Sequence, residues 1–210
     1  AIRRGPLAPP TAGTEVFAVD NSGVNATAST AVFSSGFPVD LGIRKRGDGG
    51  TNGDTYLGTR LLGSNYLVAS KTEAQTANHS FKASGFQDGF GNHNGNGLNA
   101  VGWMWKRAPS YFDVVCYTGA GSSSLTLNHN LGAVPEMMWV KRRSGTSNWK
   151  VYHKDLTNTN SFLYINSTAA EDSSRSNVWP TAPTDTQLTI GNYTGDYTGG
   201  GDTGIAYLFA

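Results

Sequence analysis

The chain repeats itself, and a repeat at this spacing builds two similar units before any single motif is weighed. Ala100-Val-Gly-Trp-Met-Trp105 matches Gly204-Ile-Ala-Tyr-Leu-Phe209 in size and polarity at every step. Lys106-Arg-Ala-Pro109, which follows the first copy, has its counterpart in Arg3-Arg-Gly-Pro6 at the start of the chain. Inside the units, Ile43-Arg-Lys-Arg46 parallels Val140-Lys-Arg-Arg143, and Tyr66-Leu67 parallels Phe162-Leu163. The offsets drift by a few residues from one pair to the next, as loop insertions in a diverged duplication produce. The 210 residues therefore divide into units 1–105 and 106–210, each long enough to wrap several short strands around its own core.

Local patterning gives the fold class. Glycine (27 residues) clusters with Asn, Asp, Ser and Thr in 47–54, 88–97 and 195–204, which reads as turns. Between the turns lie strand-length runs rich in β-branched and aromatic residues: 16–19, 66–68, 111–117, 135–140, 149–152, 162–165, 187–190 and 205–209. Long stripes of helical period are missing, and the best helical candidate, 167–176, is short and polar. The expected architecture is all-β: two tandem, homologous β-sandwiches of jelly-roll or lectin-like type.

Charge and cysteine usage remove several function classes. Sixteen Lys and Arg against 15 Asp and Glu leave a net charge of +1, without the basic field of a dedicated nucleic-acid binder. The single cysteine, Cys116, forms no intrachain disulfide framework and no multi-cysteine zinc site. No apolar run reaches the roughly 18 residues of a spanning helix, so a soluble chain without membrane insertion is expected. The start, Ala-Ile-Arg-Arg-Gly-Pro, has neither an initiator Met nor a signal-peptide core, which suits a processed product or an excerpt of a longer chain.

Catalytic and cofactor motifs are weak. His79, His93, His129 and His153 fall in no His-x-His or His-Glu-x-x-His spacing, so no metal site is expected. Asp48 to Asp54 offers oxygen ligands without calcium-loop spacing, and Arg46-Gly47-Asp48, which leads into it, reads as part of a Gly-rich turn. No phosphate-binding loop or nucleophile elbow occurs, and no cofactor is expected. Cys116 alternates with Phe112 and Val114 as a small apolar filler, and Ser122-Ser-Ser124 reads as a turn. Asp113, Glu136 and Glu171 are the carboxylates a glycoside hydrolase would draw on, but they sit in no hydrolase motif. The Asn-x-Ser/Thr triplets at Asn25, Asn78, Asn166 and Asn192 follow from an Asn/Thr-rich composition.

Tyr111-Phe-Asp-Val-Val-Cys-Tyr-Thr-Gly-Ala-Gly121, His129 to Arg143, Asn148-Trp-Lys-Val-Tyr-His153 and Gly204-Ile-Ala-Tyr-Leu-Phe-Ala210 resemble a repeated domain of tailed bacteriophages, especially those of marine bacteria. Phe33 to Arg46 and Asn65-Tyr-Leu67 are similar to the same framework. Proteins carrying this domain are tail-fibre or virion structural proteins, and the domain itself is of unknown function. The resemblance supplies no catalytic residues.

It implies a non-enzymatic virion protein on the exterior of tail or capsid. Its work would be assembly and host-surface adhesion, and its partners would be copies of itself, other virion proteins and bacterial surface polysaccharide. A lectin-like glycan-binding module is the alternative, and a polysaccharide depolymerase a third. Trp103, Trp105, Trp139 and Trp149 are expected in the core or between units, whereas Trp179, Tyr193 and Tyr197 lie in turns suited to stacking on sugar rings. The triads Arg44-Lys45-Arg46 and Lys141-Arg142-Arg143 are expected as solvated strand ends, or as contacts to an acidic subunit or lipopolysaccharide phosphates.

Overall fold

The computed structural model describes residues 8–21, 33–46, 53–77, 89–90, 100–192 and 197–210. The chain is all-β and forms two compact units. One comprises Pro10–Lys71 and Gln75–Arg107; the other comprises Ala108–Ala210 and takes in Thr72–Ala74. In each unit a small sheet lies on a large one, a sandwich-like arrangement with a hydrophobic cluster between them.

In the N-terminal unit the strands are β1 (Phe17–Asp20), β2 (Phe33–Ser34), β3 (Leu41–Arg46), β4 (Thr55–Thr59), β5 (Tyr66–Val68), β6 (Gly89–Phe90) and β7 (Ala100–Trp105). The large sheet runs β1-β7-β3-β4-β5 and the small one β2-β6. The layers meet through two rings: Phe33 packs on Gly102 of β7, and Phe90 on Gly42 of β3. A Cβ at either glycine would land inside the ring, so the close approach requires glycine there. Phe37, Val39, Ala100 and Met104 complete this core.

In the C-terminal unit they are β8 (Phe112–Thr118), β9 (Ser124–Asn128), β10 (Met137–Arg142), β11 (Lys150–His153), β12 (Leu163–Tyr164), β13 (Gln187–Gly191) and β14 (Thr203–Phe209). The large sheet runs β8-β14-β10-β11-β12, and β9 pairs with β13. Leu188 and Ile190 of β13 close on Met138, Val140, Ala206 and Leu208 of the large sheet. Burying each of these Leu, Ile, Met and Val side chains contributes about 1.5–3 kcal/mol.

Taken in chain order, the described strands of the two units are arranged identically: first beside last, last beside third, then fourth and fifth, with second paired to sixth. Connections outside the strands match as well. Tyr66 and Thr76 exchange both backbone hydrogen bonds, and so do Phe162 and Asp172. Asp40 N donates to the Trp105 carbonyl, and Glu136 N to that of Phe209, both at 2.8 Å. Tilted ring pairs occupy the same rung: Phe17 on Trp105 at 5.0 Å and Phe112 on Phe209 at 5.1 Å.

The short, polar stretch 167–176 is not helical, in keeping with the all-β reading; Asp172 within it bridges to Phe162. One expectation changes. The pairing register matches Ile43 with Trp139, which face Trp103 and Tyr207, rather than with Val140. The basic triads are therefore offset by one residue, and Lys141 takes the position of Lys45 rather than that of Arg44. In a strand that single step moves a side chain to the opposite face.

Candidate functional site

The basic strand ends are engaged internally. Arg44 is buried, and Lys45 is exposed with Nζ donating to the Gly53 carbonyl at 3.3 Å. The side chain of Arg46 lies outside the described residues. Lys141 is 0% exposed, and its ammonium donates to the Arg142 carbonyl at 2.7 Å and Ser147 Oγ at 3.2 Å. Arg142 pairs with Asp202 at 2.7 Å, and Ser144 Oγ donates to the same carboxylate oxygen at 3.0 Å. Arg143 is half-buried beside Cys116. At Lys141 and Arg142 a solvated strand end gives way to braces at the β10–β11 and β10–β14 ends, whereas Lys45 stays exposed.

The aromatic expectations also change. Trp179 is 1% exposed; its Nε1 donates to the Ser161 carbonyl at 3.1 Å, and its ring meets Tyr152 edge-on at 5.9 Å. Asn160 Oδ1 accepts from the amides of Val178 and Trp179, which turns the indole inward. Tyr197 is 2% exposed, with its hydroxyl donating to the Asn148 carbonyl. Its ring covers Lys150 Nζ at 4.2 Å, and Phe162 lies on the same ammonium at 5.5 Å. Both rings are core, so neither presents a platform to a sugar. Tyr193 lies outside the described residues, as do His79, His93, Asn25, Asn78 and the Arg46-Gly47-Asp48 turn beyond Arg46.

Carboxylates and titratable groups are mostly committed to backbone. Asp113 is buried on the edge strand β8, its two oxygens accepting from the amides of Val114 at 2.8 Å and Asn130 at 2.7 Å. An inward-facing charge that also caps an edge amide blunts that edge against further strand pairing. His129 Nδ1 accepts from the Leu131 amide, so its proton resides on Nε2, which donates to the Thr184 carbonyl. Burial holds its pKa below the usual histidine value. Burial likewise pushes the Cys116 thiol up, against the pull of Arg143, which keeps it protonated and inert. Glu136 is exposed. Among the described residues no group of three His, Cys, Asp or Glu could hold a metal ion, and no helix is long and apolar enough to cross a membrane.

Glu171, singled out in the sequence as a candidate carboxylate, lies with Asp172 in a polar loop pair whose partner loop, 157–161, motif reading missed. Glu171 accepts from the Thr157 amide at 2.7 Å, and the Ser161 hydroxyl holds its pKa below the ordinary carboxylate range. Asp172 accepts from the Ser174 amide and hydroxyl and from Arg175; Arg175 and Ser174 pull its pKa down to about 2. Asn158 Nδ2 donates to the Ser173 carbonyl, tying 157–161 to 171–175. Thr157, Asn158 and Ser173 to Arg175 of this loop pair are exposed, Glu171 and Asp172 are half-buried and Ser161 is buried, and the named amides, hydroxyls and guanidinium bond within the pair. Its sequence signal is the Asx-turn spacing of Asn158-x-Asn160 and Asp172-x-Ser174.

No curated protein and no solved structure matches the chain. A family profile described as a domain of unknown function, DUF7483, matches residues 18–210 and so runs through both units. The chain belongs to the DUF7483 family.

Proposed function

We propose that the chain is a non-enzymatic virion structural protein of a tailed bacteriophage, a tail-fibre or other exterior component. In this reading it consists of two tandem homologous sandwiches of jelly-roll or lectin-like type, assembles with copies of itself and other virion proteins, and meets the host surface. The observation that carries the reading is the shared strand order and hydrogen-bond register of the two units. Duplicating a shape-holding module lengthens a particle component without new chemistry. The internal bonding of Asp113, Glu171 and Lys141 supports a holding role over proton transfer. The sequence resemblance supplies the virion.

Immunogold labelling of purified phage particles with antibody against the chain tests this. Labelled tails or capsid exteriors are expected, and unlabelled intact particles contradict the assignment. Release of reducing ends from host polysaccharide by the purified chain contradicts the non-enzymatic part.

The loop pair 157–161 and 171–175 favours a second reading, a glycan-binding module. Glycan-array binding lost on Asn158→Ala or Arg175→Ala, with the unfolding midpoint preserved, supports it; an empty array removes it.

A further inference from the structure

Two hairpins of the chain close by the same device. After β10, the turn Gly145-Thr-Ser147 brings the Gly145 carbonyl to 3.5 Å and Ser147 Oγ to 3.2 Å from Lys141 Nζ. Before β4, Gly53-Asp-Thr55 brings the Gly53 carbonyl to 3.3 Å and Thr55 Oγ1 to 3.4 Å from Lys45 Nζ. The two lysines hold the same pairing position, opposite Val101 of β7 and Ile205 of β14. A lysine there, followed by Gly-x-Ser/Thr, is a recurring ammonium clamp.

The clamps differ in depth. Lys45 is exposed. Lys141 is fully buried and has two further acceptors, the Arg142 carbonyl at 2.7 Å and, within the same compact unit, the Thr72 carbonyl at 3.3 Å. At least four oxygens, three carbonyls and one hydroxyl, therefore converge on a group with three protons. A surplus of oxygens over protons suits coordination of a spherical charge better than bond-by-bond matching of donors. Rings of carbonyl oxygens replace the hydration shell of potassium in the same way, and ammonium resembles potassium in charge and size.

We propose that these four oxygens form a monovalent-cation site that Lys141 fills from within the chain. When the ammonium is removed, the cage takes potassium or ammonium from solution. Choline, too large for the cage, does not enter.

The test is thermal unfolding of the whole chain as wild type, Lys141→Ala and Lys45→Ala, in KCl, NH4Cl and choline chloride at matched ionic strength. A ligand bound only by the folded state raises the midpoint in a saturable way. The expected result is a saturable upward shift for Lys141→Ala in KCl or NH4Cl over choline chloride, with wild type and Lys45→Ala moving alike in all three salts. Identical midpoints for Lys141→Ala in the three salts overturn the proposal. Should Lys141→Ala fail to fold in choline chloride, refolding yields of it and of Lys141→Met decide. Recovery in NH4Cl or KCl supports the site, and no recovery in either salt overturns it.

Discussion

Lys150 Nζ lies 4.2 Å from the centre of the Tyr197 ring and 5.5 Å from that of Phe162. In the N-terminal unit the matching rung carries Tyr56, whose ring tilts against Tyr66 at 5.7 Å. One unit thus joins two neighbouring strands ring to ring, and the other joins them ring to cation. A double-mutant cycle of Lys150→Met and Tyr197→Leu, followed by urea unfolding, is expected to return a coupling of about 0.5–2 kcal/mol. A coupling near zero would mean that the ammonium and ring touch without mutual stabilisation.

Trp179 is a core residue, so its removal acts on stability before it acts on any ligand. Trp179→Phe keeps most of the ring volume but loses the Nε1 bond to the Ser161 carbonyl, a cost of about 1 kcal/mol. Trp179→Ala is expected to cost about 3–5 kcal/mol. Denaturant midpoints of the two variants check both values. Near-wild-type stability of Trp179→Ala would place the indole at the surface.

Asp113 guards an edge. Replacing it with Ala strips the acceptor from the amides of Val114 and Asn130 and is expected to destabilise by about 2–4 kcal/mol, since each orphaned amide costs about 1–3 kcal/mol where it is buried. It also opens β8 to pairing with other chains. Light scattering during mild heating should show earlier aggregation than in wild type. Unchanged aggregation would separate the carboxylate's internal bonds from edge protection.

The pH response has two windows. His129 is held neutral, with its pKa below the usual 6.5 because of burial. The unfolded chain therefore binds a proton first, so this contribution is complete above pH 6.5 and declines as pH falls through the window beneath it. Protonation breaks the Leu131 amide bond to Nδ1. Asp172 is depressed from 3.8 to about 2, so its contribution is present above pH 3.8 and fades as pH falls towards 2. Amide exchange followed by NMR should show Leu131 loosening in the first window and Ser174 in the second. Loosening of Ser174 already near pH 6 would contradict the assignment.

Much of the all-β architecture was legible in the sequence because strand alternation and turn residues leave local marks. The match of Tyr66-Leu67 with Phe162-Leu163 coincides with the pairing of Leu67 opposite Leu57 and Leu163 opposite Val151. The basic triads misled by one residue: their charges look alike in a string, whereas register is set by which face meets Tyr207 or Ala206 across the sheet. Trp179 in a Ser- and Pro-rich stretch resembles a surface loop, and its burial depends on Asn160, which is 19 residues away in the chain. Lys141 was equally opaque, since one of its acceptors is the main-chain carbonyl of Thr72. Backbone acceptors carry no sequence signature.

Everything rests on the strand order that the two units share, and cross-strand contacts in the whole chain measure that most directly. NMR Overhauser contacts between facing backbone protons should join Val19 to Trp103 and Trp103 to Ile43 in one unit, and Val114 to Tyr207 and Tyr207 to Trp139 in the other. Finding both chains of contacts agrees with the account. Trp139 paired with any residue other than Tyr207 on β14, or a last strand that does not lie between the first and third in either unit, would contradict it.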